Sequence, residues 1–180
     1  MDRRNWVIKL GLVLVFAVGL LVNNLVQQRI TIDLAVSALR ISAGASIGSS
    51  VTYMERGLDE NVTTLDKDWA IGAAQQLLRS SRETILGLEH ADHNLYYWQQ
   101  IRFSLELAVL ELTDWQHAPE SFSRAQETLE LLTVIQSALP SVISSKDGGT
   151  LYADNPAALP DAATFAVGYI QRTSKARQER

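Results

Sequence analysis

A continuous apolar stretch near the N-terminus limits what this chain can fold into. Residues 10–28 carry no charge, and residues 10–22 are all apolar or glycine. As a helix, residues 6–26 would be about 30 Å long, which is the thickness of the hydrocarbon core of a bilayer. The stretch is therefore either a membrane span or a signal that is removed after export.

A secretory signal peptide would have the same basic start, MDRRNWVIK, and a similar apolar run. Its cleavage needs small residues in an A-x-A-like arrangement after that run, whereas here NNLVQQR follows. Ala17 and Gly19 are small but lie inside the run, where cleavage would leave too short an apolar region. We favour an uncleaved signal anchor that spans residues 6–28 and follows a short segment, residues 1–5.

Charges on either side of the span predict its orientation. Arg3, Arg4 and Lys9 precede it, while Arg29 alone follows closely before Asp33. The positive-inside rule then places the N-terminus in the cytoplasm and the residues after 28 outside it. A second span is not predicted, since the best other stretch, AATFAVGYI, has nine residues. The expected location is the cell membrane, with a single pass.

Composition narrows the class of protein further. A chain of 180 residues with 47% hydrophobic content can form one compact domain beside a span. The net charge is −4 and the first nine residues contribute +2, so the remainder carries −6, which argues against nucleic acid as a partner. The chain has no cysteine, which excludes disulfides, a thiol nucleophile and a cysteine-type zinc site.

Apolar residues recur at steps of three and four in four successive segments, residues 32–58, 70–88, 95–115 and 122–139. This period is typical of helices with one buried face. Short connections make successive helices pack antiparallel. The predicted fold is all-α: a transmembrane helix, then an extracytoplasmic up-down-up-down bundle over residues 29–140.

Helix ends have their own signals. The first bundle helix should end near Arg56 or Gly57, and Thr63 with Asp66 resembles a capping box that starts the second. The run EHADHN predicts a turn or a polar patch within a longer helix, and Pro140 should end the fourth helix. Residues 141–159 are predicted to form a loop, and residues 160–180 a short helix followed by a frayed basic tail.

The first bundle helix contains SAGASIGSS, in which Gly44 and Gly48 form a G-x-x-x-G spacing. Ile47 and Val51 keep the apolar period through this stretch, so it predicts a helix face without bulky side chains rather than a linker. Such a face lets another backbone approach closely. The neighbour is expected either within the bundle or in a second subunit.

A second candidate site lies in the sequence LEHADHN. His90 and His93 are one helical turn apart, and Asp92 lies beside them, so these side chains are candidate metal ligands if others come from elsewhere. The pattern is neither H-E-x-x-H nor the E-x-x-H pair of di-iron bundles. Histidine and aspartate are also common at helix ends, where they satisfy backbone groups.

Three consecutive aromatic residues follow this segment. Tyr96, Tyr97 and Trp98 either line a ligand pocket or fill the core, and three adjacent rings must expose at least one. The exposed ring would then belong to an interaction surface.

No motif for catalysis or for a cofactor is present: there is no glycine-rich phosphate loop and no G-x-S-x-G. The layout is similar to the sensory modules of bacterial receptors and sensor kinases, a likeness of architecture that implies a sensory or accessory role. We expect a non-enzymatic protein whose bundle binds another protein or a second copy of itself. The alternative is a module that binds a small ligand or a metal through His90, His93 and the nearby aromatics.

Overall fold

The computed structural model describes residues 3–117, 122–144, 150–153 and 155–179, with side chains for residues 15–115, 124–140 and 155–179. The predicted helical protein with a long apolar N-terminal helix is confirmed. In this part of the chain, the elements are α1 (Arg3–Leu58), α2 (Thr64–Ala91), α3 (Leu95–His117), α4 (Phe122–Ser137), β1 (Ser141–Ser144), β2 (Thr150–Ala153), a 3-10 turn (Pro156–Ala158) and α5 (Leu159–Gln178).

The chain divides into two compact units, Met1–Ser37 and Ala38–Arg180. In the first unit, every described side chain from residue 15 to residue 35 is exposed, including those of Phe16, Leu21 and Leu34. Within the described residues, α1 is the one helix that is long and apolar enough to cross a membrane. In water, such a helix would leave its apolar side chains uncovered on all sides.

In the second unit, α1 buries Ala43, Ile47 and Met54 completely. Two glycines allow α1 and α2 to approach each other closely. A Cβ atom on Gly57 would collide with the Ile71 side chain, and one on Gly87 would lie 3.3 Å from Leu39 Cδ1. Small residues thus let aliphatic side chains of one helix press against the backbone of the other.

Helix α3 lies at the centre of the second unit and packs against α2, α4 and α5. Most of the apolar face predicted from its periodicity is buried, whereas Leu95, Phe103 and Leu110 of the same apolar segment are exposed. Its fully buried members are Trp98, Ile101, Leu105, Ala108 and Leu112.

The predicted helix signals around α2 are confirmed. Thr63 is the N-cap residue, and its hydroxyl accepts a hydrogen bond from the Asp66 amide at 3.3 Å. The polar run EHADHN breaks the helix, since α2 ends at Ala91 and α3 starts at Leu95. Side chains such as Thr and Asp at these ends satisfy backbone amides that lack a helical partner.

The predicted loop over residues 141–159 is wrong in part, because residues 141–144 and 150–153 form two paired β-strands. Strands β1 and β2 pair antiparallel, with Ser141 opposite Ala153 and Ser144 opposite Thr150. The strands are four residues each, too short for a periodic pattern to reveal. The connecting residues 145–149 lie outside the described residues.

The predicted frayed tail is also wrong, since α5 is helical from Leu159 to Gln178. Arg177 explains the difference. Its guanidinium donates to Glu111 Oε1 at 2.7 Å and to Asp114 Oδ2 at 2.6 Å, both on α3. Because Glu111 is only 4% exposed, this end of α5 is held by a partly buried ion pair.

Substitution of Gly44 tests the close packing of α1 against the end of α4. A Cβ atom on Gly44 would collide with the Pro140 carbonyl oxygen, whereas one on Gly72 would meet nothing within 4 Å. We expect Gly44→Ala to lower the free energy of unfolding of the full chain by about 1–3 kcal/mol. Gly72→Ala should raise it by up to about 1 kcal/mol. Urea unfolding in detergent micelles measures both, and equal effects of the two substitutions would contradict this packing.

Candidate interaction surfaces

His90 lies in the last turn of α2 and His93 in the connection between α2 and α3, and both histidines are exposed. Asp92 serves the fold: Oδ1 accepts from the Asn94 amide at 3.3 Å, and Oδ2 accepts from Trp98 Nε1 at 2.8 Å. Among the described side chains, no three His, Cys, Asp or Glu residues come together as a metal site requires. The metal hypothesis therefore rests on His90 and His93 alone and stays a prediction.

Trp98 cannot belong to an interaction surface as predicted, because it is fully buried. Besides its hydrogen bond to Asp92, its ring lies 5.7 Å from the Arg40 guanidinium carbon. Arg40 is 8% exposed, and its Nη2 donates to the Ala138 carbonyl oxygen at 3.3 Å. Trp98 thus joins α1, the α2–α3 turn and the end of α4 inside the core.

Tyr96 is the exposed member of the aromatic run, with 61% of its surface accessible, and Tyr97 is half-buried against it. Their ring centroids are 5.9 Å apart. Phe103 and Leu110 are also exposed and follow Tyr96 at steps of seven residues. A spacing of seven places all three on one helix face, which we name the α3 stripe.

A groove of about 760 Å³ runs between α2 and α3 beside the α3 stripe. Leu110 lines it together with Arg82, Glu83 and Glu106. Arg82 forms an ion pair with Glu83, and its Nη1 lies 4.0 Å from Glu106 Oε1. At its Leu110 end, the stripe is therefore bordered by charged side chains, and an apolar centre with a polar rim is common in protein interfaces.

Arg102 reinforces the packing of α3 on α2 beside this stripe. Its Nε donates to Glu89 Oε2 at 2.7 Å and its Nη1 to Glu106 Oε1 at 3.0 Å. The hydrogen bond to Glu89 raises the pKa of Arg102, and burial opposes this effect. The ion pairs keep the stripe on a fixed backbone, so little order would have to be created on binding.

Gly44 and Gly48 pack against the same chain. The would-be Cβ of Gly44 meets Pro140, and that of Gly48 lies 2.9 Å from Gln136 Nε2. Of the two predicted neighbours, the structure therefore shows the intramolecular one. An open groove of about 400 Å³ remains beside these glycines, and Ser49 and Thr52 contribute to its lining.

Two residues at the start of α2 are exposed, and one of them, Leu65, was not singled out as an interaction residue from the sequence. Leu65 is 80% exposed and Trp69 is 56% exposed. The Trp69 ring meets Tyr53 edge-on with centroids 5.3 Å apart, and it lies 5.8 Å from the Arg56 guanidinium carbon. A signal was available, because Leu65 falls outside the apolar period that begins at Ala70.

No protein-family model matches this chain, and neither a curated protein nor a solved structure matches it.

Tyr169 is the buried titratable group of α5, and its hydroxyl is 2.9 Å from the Thr128 hydroxyl on α4. Burial disfavours the phenolate and raises the pKa of Tyr169 to about 12, while the Thr128 hydrogen bond acts in the opposite direction. The folded chain therefore requires a neutral Tyr169.

Alkaline unfolding should depend on this residue. Its pKa is about 10 in the unfolded chain and about 12 when folded, so its contribution is present below pH 10 and is lost as the pH rises to 12. Between pH 10 and pH 12, we expect the free energy of unfolding to fall by about 2–3 kcal/mol less in Tyr169→Phe than in wild type. Unfolding of the full chain at several pH values measures this, with Tyr96→Phe as the exposed control. Parallel curves for wild type and Tyr169→Phe would refute it.

Proposed function

We propose that the protein is a non-enzymatic, single-pass membrane protein whose extracytoplasmic helical bundle binds another protein or a second copy of itself. The observation that carries the proposal is the uncovered apolar surface of α1 in the first unit. A sensory or accessory role is part of the proposal by analogy of architecture, since sensory modules of bacterial receptors share the layout of a span followed by a bundle.

Anchoring in a bilayer accounts for α1 because water is a poor solvent for this segment. Eleven large apolar side chains are exposed between residues 15 and 34. Burying each in an apolar medium is worth about 1.5–3 kcal/mol relative to water. A helix also pairs its own backbone N–H and C=O groups, for which lipid tails offer no hydrogen-bond partners.

The proposed orientation places the N-terminus in the cytoplasm. Arg3 and Arg4 precede the span and Lys9 lies in its first turn, and basic residues at that end favour retention in the cytoplasm. The second unit, Ala38–Arg180, then lies outside it.

The proposed bundle is antiparallel, and contacts between helix ends support it. Gly57, at the end of α1, meets Ile71 near the start of α2, while Leu39 meets Gly87 near the end of α2. Between α2 and α3, Arg102 near the start of α3 pairs with Glu89 near the end of α2. Both patterns fit neighbouring helices that run in opposite directions.

Binding of a protein is the activity that the exposed surfaces favour. The α3 stripe presents Tyr96, Phe103 and Leu110 to solvent on one helix face. Large aromatic side chains at the surface are enriched in protein interfaces, where they supply much of the binding energy. A rigid helix face of this kind suits a partner helix.

Photocrosslinking from Phe103 tests this function. With the photoreactive p-benzoylphenylalanine in place of Phe103, the full chain in its native membrane should form a reproducible adduct with a protein. The adduct yield should fall at least about tenfold when Tyr96 and Leu110 are both replaced by Ser, because a loss of about 1.4 kcal/mol in binding lowers affinity tenfold.

Glu130, an exposed residue on α4, is the control position for the same photoreactive side chain. An equal yield from residue 130, or no adduct from any exposed position on the second unit, would contradict the proposed interaction.

A further inference from the structure

A second exposed surface lies where α1 ends and α2 begins. Leu65, Trp69 and Gly72 follow one another along α2 at steps of four and three, and Tyr53 and Arg56 of α1 flank Trp69. Residues with this spacing share one helix face. We name these five residues the tip patch.

Trp69 has the properties of an anchor in a protein interface. More than half of its surface is exposed, yet Tyr53 contacts its ring edge-on and Arg56 lies over it. These contacts limit the movement of the indole before anything binds, which reduces the entropy lost on association. Trp, Tyr and Arg are also the residue types most common among interface residues that dominate binding.

Gly72 differs from its counterparts in the described part of the second unit. A Cβ atom on Gly44, Gly48, Gly57 or Gly87 would lie within 3.4 Å of another residue, but one on Gly72 would meet nothing within 4 Å. A glycine inside a helix costs about 1 kcal/mol relative to alanine. No contact within the described chain explains this cost at Gly72, whereas the close approach of another backbone would.

Charge around the tip patch distinguishes between possible occupants. The segment from residue 55 to residue 69 contains five acidic and two basic residues, which gives a net charge of −3. The pKa of Asp59 is lowered, chiefly by a hydrogen bond from the Asn61 backbone amide, so its carboxylate stays ionised. A second copy would bring the same negative surface against this one, because a two-fold interface pairs a patch with itself.

We propose that the tip patch docks a positively charged segment of a partner protein, which places an apolar side chain on Trp69 and its backbone beside Gly72. This inference rests on the proposed function and names the surface and the chemistry of the partner. The acidic side chains attract the segment, and Leu65 and Trp69 supply the apolar contact.

Site-specific photocrosslinking tests the tip patch. The full chain carries p-benzoylphenylalanine at position 65 in its native membrane, and the crosslinked peptide is identified by mass spectrometry. We expect a peptide with net positive charge and at least one large apolar residue. The adduct yield should fall at least fivefold when the ionic strength rises from about 0.05 M to about 0.5 M, because salt screens exposed charges.

Substitutions at the patch provide the matched controls. Gly72→Leu should reduce the adduct from position 65 at least fivefold, since a side chain would occupy the space left for a partner backbone. Thr133→Leu, at an exposed position of α4 away from both surfaces, should leave the yield unchanged. The melting temperature of each variant shows that the fold is intact.

The remaining outcomes decide against the tip patch. An adduct with a second copy, an adduct with an acidic segment, equal yields from Gly72→Leu and wild type, or no adduct at position 65 would each overturn it. Adduct formation from Phe103 separates the two proposals. With an adduct at 103 and none at 65, the protein still binds a partner but not through the tip patch; with neither, both proposals fail.

Discussion

The need to remove the apolar surface of α1 from water is the constraint on which the account of this protein depends. Side chains from Val15 to Leu34 are exposed on every side of the helix, and no described part of the chain covers them. A soluble helix normally has one apolar stripe and one polar face. The second unit has helices of that kind, and the contrast between the two units is what indicates a membrane.

Within the second unit, close packing depends on residues without large side chains. Gly57 and Gly87 admit Ile71 and Leu39, and Gly44 admits the backbone at Pro140. Polar contacts then fix the helices at particular points. Trp98 connects Asp92 with Arg40, and Glu111 holds the end of α5 through Arg177. Surfaces free of these contacts, the α3 stripe and the tip patch, remain available for binding.

Local signals in the sequence were sufficient for most of the helices. The Thr63 cap, the turn at Asp92 and the apolar period of α3 depend on residues close together in the chain, and each prediction is confirmed. The order in α5 was missed because Arg177 and Glu111 are 66 residues apart. The β-hairpin was missed because each strand spans only four residues.

The aromatic run of α3 also has features that the sequence predicts and features that it does not. Three adjacent aromatic residues require one exposed ring, and Trp98, the member that falls in the apolar period of α3, is the one that lies in the core. Both Tyr96 and Trp98 were predicted as interaction residues. Tyr96 is exposed, whereas Trp98 is buried. Leu65 was not assigned to a site, although its position outside the apolar period of α2 signals its exposure.

The central claim is that α1 anchors the protein in a membrane with the second unit outside the cytoplasm. Since the chain has no cysteine, single cysteines at positions 2, 21 and 80 can each report their surroundings to a membrane-impermeant maleimide. We expect position 80 to be labelled in intact cells and position 2 to be labelled only after permeabilisation. Position 21, inside the bilayer, should not be labelled in intact cells. Labelling of position 21 from water, or labelling of position 2 but not position 80 in intact cells, would contradict it.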